Sequence, residues 1–321
     1  DEDFFLISKT LLKHRKYADS KRFLSDAISL DPINVEYRSL FGRILYELKG
    51  ADVAIGYLRD LLESHKEHPM LLGDIARYYY QSGQMKEFEM YKERIEASDV
   101  RDTSFYKFLI EAATSDDQSE LVIKYSEELI KLNPGDLNTR ITLGTYYYDM
   151  GKYKESLFQF EKVKNRLPAY PKVNYYLAKV KIAMGDIDDA IELAELEIKS
   201  NPTIEQGYYI MGAAYKKKKD WQNAITYLEK AISRNPNSVE TMSALAWIKL
   251  KQNYFAAARE LYLRAIKEEN SNASLHKDIG YVYKKMGQSG LAIESFNVYL
   301  QLSPGAKDES EIKKIIKTLS D

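Results

Sequence analysis

Residues 205–238 read EQGYYIMGAAYKKKKDWQNAITYLEKAISRNPNS. Tyr208, Met211, Gly212 and Tyr215 fall at i, i+3, i+4 and i+7, the spacing of one face of a helix. After Lys216–Asp220 a second apolar stripe runs through Ala224, Leu228, Ala231 and Ile232. Pro236 cannot continue that second helix and restricts the residue before it. The stretch is therefore a helical hairpin, and the small residues Gly212 and Ala224 let its two helices cross closely. One such hairpin leaves an apolar face uncovered, so copies must stack.

Copies are present at a fixed interval. Pro134, Pro168, Pro202 and Pro236 lie 34 residues apart, and Pro32 and Pro304 share their phase. With this proline as position 32, position 8 reads Ser8, Gly42, Ala76, Ile110, Gly144, Ala178, Gly212, Ala246 and Gly280. Position 11 carries Tyr79, Tyr147, Tyr215 and Tyr283, and position 20 carries Ala54, Ala190, Ala224, Ala258 and Ala292. Gly83, Gly151, Gly185 and Gly287 at position 15 suit a left-handed residue that ends the first helix. Residues 307–321 start no tenth copy. Ile312, Ile315, Ile316 and Leu319 make one apolar stripe among lysines, a helix suited to cap the last hairpin.

These landmarks resemble the tetratricopeptide repeat family over residues 1–306. The resemblance implies an all-α, right-handed superhelical solenoid of about nine helix-turn-helix repeats with a C-terminal capping helix. It divides the chain into repeats 1–3 (1–102), a degenerate repeat 4 (103–136), repeats 5–9 (137–306) and the cap (307–321). Repeats 3 and 4 depart from the pattern, with Phe88 and Lys92 at positions 20 and 24, Ile110 and Ala113 at 8 and 11, and Ser126 at 24. Helix B of repeat 3 is expected to bury Phe88, Tyr91 and Ile95 instead. The turn 114–119 lacks glycine, which suggests hairpins packed at altered angles, by drift or as a bend between two arms.

In the family, positions 2, 5, 9, 12 and 13 of the first helices line a concave groove. In repeats 6–9 those positions hold eight lysines and one acid, Glu240, interleaved with aromatics. The resemblance thus nominates Lys172, Tyr175, Lys179, Tyr209, Lys216, Trp247, Lys251, Lys277, Tyr281 and Lys284 as a peptide-binding groove. Lys172, Lys179 and Lys277 are expected away from helix ends, whereas Lys216–Lys219 also fit a solvated helix end that favours the dipole. The first five repeats offer a mixed set that includes Glu47, Arg43, Arg77 and Tyr148. Aromatics anchor interfaces, and walls of one sign focus a field. The expected occupant is another protein's extended or helical segment bearing Asp/Glu and apolar side chains. Single-stranded nucleic acid is the alternative, with lysines on phosphates and rings as stacking platforms. An adaptor subunit of an enzyme complex and self-association through the uncapped first repeat are two further readings. Position 9 is never Asn, and position 6 is never Asn or Arg, so the family's carboxylate-clamp pattern is absent.

Composition limits the chemistry. Lys+Arg is 47 against 48 Asp+Glu, so no global charge points to nucleic acid or membrane. There is no cysteine, which removes thiolate metal sites and cysteine nucleophiles and fits cytoplasm or periplasm alike. No nucleotide-binding, nucleophile-elbow or zinc-protease motif occurs, so the reading is non-enzymatic with no cofactor. Ser274 and Lys277 match the short S-x-x-K pattern without companions, and His65 and His68 with Glu63 and Glu67 suit a solvated loop better than a metal site. The start, Asp1–Phe5, is not an intact signal peptide, so a removed or preceding segment is expected. Tyrosine is in excess, 26 against 11 Phe. In the runs Tyr78–Tyr80 and Tyr146–Tyr148, one ring each is expected in the core.

Overall fold

A computed structural model describes residues 1–98 and 102–320. Every regular element among these residues is an α helix, nineteen in all. None is long and apolar enough to cross a membrane. The chain divides into two units, 1–146 and 147–321.

Unit 1 holds four hairpins: α1 (Glu2–Lys13) with α2 (Tyr17–Leu30), α3 (Val35–Lys49) with α4 (Ala51–Ser64), α5 (Pro69–Gln81) with α6 (Met85–Glu96), and α7 (Thr103–Ser115) with α8 (Ser119–Leu132). It also holds most of α9 (Leu137–Asp149). Unit 2 begins at the end of α9 and continues with α10 (Tyr153–Arg166). Three hairpins follow: α11 (Val173–Met184) with α12 (Ile187–Ser200), α13 (Glu205–Lys218) with α14 (Trp221–Arg234), and α15 (Val239–Lys251) with α16 (Phe255–Glu268). The last hairpin, α17 (Ala273–Lys285) with α18 (Ser289–Leu302), is closed by α19 (Glu309–Ser320).

The small residue at position 8 has a direct steric cause. A Cβ added to Gly42, Gly212 or Gly280 would lie 2.7 Å from Leu58, Leu228 or Phe296, the position-24 side chain of the second helix. The first hairpin solves the same crossing with serine. Ser8 and Ser20 are fully buried, with their hydroxyls 2.9 Å apart, and each donates to the other's carbonyl region.

One hydrogen-bond pattern recurs at the hairpin turns. The N–H of Lys16, Gln84, Gln118, Lys152, Asp186, Asp220, Tyr254 and Gln288 donates to the carbonyl five residues back. This is the bond that follows a left-handed residue at the end of a helix. Position 15 is left-handed not only at Gly83, Gly151, Gly185 and Gly287 but also at Arg15, Asp117, Lys219 and Asn253. The glycine-free turn at 114–119 therefore closes in the same geometry as its neighbours. At the other end of four repeats, a position-4 side chain satisfies a loop carbonyl. Arg38 donates to Pro32, Arg140 to Pro134, Tyr208 to Pro202 and His276 to Asn270.

Phe88, Tyr91 and Ile95 are buried, the rotated face expected of α6. The tyrosine run of α5 differs from expectation. Tyr78 and Tyr79 are both buried, because Tyr78 stacks on Tyr46 of α3 at 4.7 Å, while Tyr80 packs edge-on against Phe88 and Phe108. α19 buries Ile312 completely and lays Ile315, Ile316 and Leu319 against the Phe296–Tyr299 cluster, so it caps the last hairpin. Leu6 and Ile7 of α1 are exposed.

Candidate peptide-binding face of the second unit

In unit 2 each first helix touches its counterpart in the next hairpin: α11 meets α13, α13 meets α15, and α15 meets α17. This close approach gathers their exposed faces into one inner wall. Lys172, Lys251 and Lys284 are exposed on it, and Tyr175, Lys179, Tyr209, Lys216, Trp247, Lys277 and Tyr281 are half-buried.

Trp247 of α15 organises the C-terminal half. Lys216 Nζ lies 5.3 Å and Lys251 Nζ 5.2 Å from its ring centroid, and Trp221 packs 6.0 Å away. Burial lowers the pKa of Lys216, and the adjacent charge of Lys217 lowers it further against the pull of Asp278. Asp278 is raised by its own burial, opposed by Lys277, the Tyr262 hydroxyl and Lys216. Lys216 is thus a partly desolvated ammonium on an indole face, with a half-buried carboxylate as its acid neighbour. Tyr281 packs edge-on against Phe296 at 5.2 Å.

The N-terminal half is a tyrosine cluster. Lys179 Nζ sits 4.5 Å over the ring of Tyr148, which in turn packs 5.5 Å from Tyr153. Tyr175 packs edge-on to Tyr176 at 5.4 Å. Burial raises Tyr175 well above the usual phenol range, and the negative charge of Glu240 adds to this. Burial, then Glu240, pushes Tyr209 up to about 12. Both phenols therefore stay neutral, with the Glu240 carboxylate close enough to act on each.

One sequence expectation needs correction, and the charge of the wall differs from a count of positions at two further points. Lys172 is at a helix end after all: it is the left-handed residue before α11, which starts at Val173, two residues later in the period than α13, α15 and α17. Its charge there opposes the helix dipole and favours the ionised form of buried Glu197. Lys277 is already engaged, 3.0 Å from Asp308 and 5.0 Å over the Tyr299 ring. The excess of eight lysines over one acid is smaller in three dimensions, because Asp278 near Lys216 and Asp308 beside Lys277 come from outside the five groove positions. Of the lysine run, Lys218 pairs with Asp188 at 2.9 Å, the ordinary fate of a solvated helix end, whereas Lys216 does not share it.

Unit 1 carries its own half-buried acid on the first-helix side. Asp74 of α5 accepts from the Ser39 hydroxyl of α3. Its pKa is pushed up to about 6 by burial, against Ser39, Arg77 and Arg43, with Asp102 reinforcing the rise. Arg77 lies 5.1 Å over the Phe108 ring. At the junction of α4 and α5, Glu67 pairs with Arg94 at 2.7 Å and His65 Nδ1 is held by Ser64.

With hairpin geometry and period in place, comparison with known proteins adds the family. Tetratricopeptide repeats match residues 206–238 and 243–307. The chain is a tetratricopeptide repeat protein. It is 24% identical over 169 residues to human protein O-mannosyl-transferase TMTC1, covering 51% of this chain and 19% of that one. It is 22% identical over 283 residues to the Drosophila melanogaster BBSome complex member BBS4 homolog, covering 84% and 58%. The chain thus spans less than two thirds of either relative. Among solved tetratricopeptide folds, it superposes on a chain of the APC/C hetero-tetramer Cut9–Hcn1 with a TM-score of 0.55 at 16% identity. That match covers 99% of this chain and 55% of the other, a likeness of fold.

Proposed function

We propose that this tetratricopeptide repeat protein is a protein-interaction scaffold that holds an extended or helical segment of another protein against the inner wall of unit 2. Lys216 carries the reading. Its ammonium has already lost much of its water against Trp247, so an incoming carboxylate gains more there than at a solvated lysine. Trp247 and Tyr281 supply ring area beside it at low entropy cost. Lys251 and Lys284, which are exposed, add to the rate of capture. The occupant is a segment with Asp or Glu near apolar side chains, recognised by groove docking. The same wall holds Glu240 and Asp278, which a nucleic-acid backbone carrying a charge on every nucleotide would have to oppose, and this favours a peptide over a single strand. Membership of the BBS4 relative in a complex supports an adaptor role for this chain.

The test is a random-peptide selection on the wild-type chain beside a Trp247→Ala, Tyr209→Ala, Lys216→Glu triple variant. Selected peptides are expected to be enriched in Asp/Glu and apolar residues and to bind the triple variant at least about tenfold more weakly, the range of one interface anchor. Peptides that bind both proteins equally would refute the groove.

A further inference from the structure

The wall of unit 2 does not carry one sign of charge from end to end. Tyr148 lies in the last turn of α9, Tyr175 on α11 and Tyr209 on α13 share one position of the period, and Glu240 lies in the first turn of α15. Because α11 touches α13 and α13 touches α15, Tyr175, Tyr209 and Glu240 fall on neighbouring strips of one surface, and Lys179 of α11 reaches the Tyr148 ring. The three rings are half-buried and the carboxylate is exposed. Among the described residues Glu240 makes no ion pair, and its charge reaches both the Tyr175 and the Tyr209 phenols. Faces of aromatic rings attract cations, more strongly when water is excluded, and a carboxylate at the rim adds to the pull. The cluster already expresses this preference within the chain: the Lys179 ammonium sits 4.5 Å above the Tyr148 ring.

We propose that Tyr175, Tyr209 and Glu240, beside the Lys179–Tyr148 pair, form a subsite for a cationic side chain, an arginine or lysine of the bound segment. The inference rests on the groove reading and deepens it. The occupant carries a base where it crosses α11 and α13, and an acid where it crosses Lys216 and Trp247. An arginine suits the first subsite well, since its flat guanidinium can lie on a tyrosine face while an edge donates to Glu240.

The test uses a probe too small to span the groove. Nα-acetyl-arginine amide and its neutral isostere Nα-acetyl-citrulline amide are titrated into the full chain labelled on tyrosine rings, with ring signals followed by NMR. Tyr148→Phe, Tyr175→Phe and Tyr209→Phe variants assign the signals, and exposed Tyr254 serves as the control for non-specific shifts. The expected result is movement of the Tyr175 and Tyr209 signals with at least about fivefold tighter binding of the arginine probe than of the citrulline probe. Glu240→Gln should remove most of that preference while leaving the spectrum of the free protein intact. Equal response to the two probes, arginine preference that survives Glu240→Gln, or shifts no larger than at Tyr254 would each overturn the subsite. Failure of the acid-binding groove is read separately, as insensitivity of selected peptides to Lys216→Glu, because the arginine probe does not reach Lys216.

Discussion

Replacing Asp74 by Asn should stabilise unit 1, and by an amount that depends on pH. Asp74 is held at a pKa of about 6 in the folded chain, against 3.8 for an unperturbed aspartate. Its folded value is raised, so the sign is the reverse of the common carboxylate case. Below the unfolded value both states are protonated and nothing is lost. Between 3.8 and about 6 the unfolded chain ionises while burial keeps the folded carboxyl protonated, so stability falls, and above 6 the loss is complete. The full gap of about 2 pKa units corresponds to about 3 kcal/mol. Linkage with these two values gives a penalty of about 1 kcal/mol at pH 4.5 and about 3 kcal/mol at pH 8. Asparagine is neutral throughout and its side-chain oxygen can still accept from Ser39, so the variant escapes the penalty. Urea denaturation followed by circular dichroism measures the difference. With an m-value of about 2 kcal/mol per molar, the midpoint of the transition containing α3–α7 should rise by about 1.5 M at pH 8. Both tryptophans, Trp221 and Trp247, lie in unit 2, so their fluorescence reports that unit independently. A variant-minus-wild-type difference that is the same at pH 4.5 and pH 8, or a wild type more stable than the variant at pH 8, would refute the reasoning.

Two further substitutions test the rules of the hairpin. Gly280→Ala puts a Cβ 2.7 Å from the Phe296 ring, and overpacking of this kind should cost about 1–3 kcal/mol, read as a lower melting temperature of the last hairpin. Lys219→Gly relieves a left-handed residue at φ 63° and should raise stability by about 1 kcal/mol; a destabilised variant would mean that the lysine side chain holds the turn.

The period, the crossing of helices and the terminal cap are legible in the sequence because each follows from a contact between residues at fixed separation in the chain. Position 8 must be small because position 24 of the same hairpin lies against it, and that relation repeats wherever the hairpin does. The left-handed turn residue is less legible. Glycine announces it in four hairpins and Asn253 and Asp117 are types that tolerate it, but Arg15 and Lys219 adopt it under the constraint of the hydrogen bond that follows, with no sign in their side chains. Tyr78 was expected outside the core because a single helix face cannot hold three consecutive rings, but the partner that buries it, Tyr46, belongs to the preceding hairpin. The charge of the wall was least legible. Counting five positions per repeat finds every lysine, yet Asp278 stands at a sixth position and Asp308 in the linker to α19. Asp278 acts on Lys216 across two hairpins, and Asp308 meets Lys277 where the linker folds back, which no count of positions shows.

That redistribution bears on how a chain of nearly balanced charge could select a partner. Exposed lysines such as Lys251 and Lys284 act mainly over distance, and at physiological ionic strength their field fades within about 8 Å. They would hasten encounter with any acidic segment without choosing among them. Lys216 differs because burial against Trp247 has removed much of its water, so an acidic group that fails to reach it leaves a partly desolvated cation with Asp278 as its acid neighbour. Glu240 among the tyrosines imposes the opposite demand. A segment acidic along its whole length would meet Glu240, and one basic along its whole length would meet Lys216. On the proposed reading, the two subsites together accept only an occupant whose charges change sign in the right order along the wall. Raising salt should then slow its capture more than it speeds its release, because screening acts on the exposed lysines first. A salt series of association and dissociation rates on a selected peptide measures this directly, and equal sensitivity of the two rates would count against a desolvated anchor at Lys216.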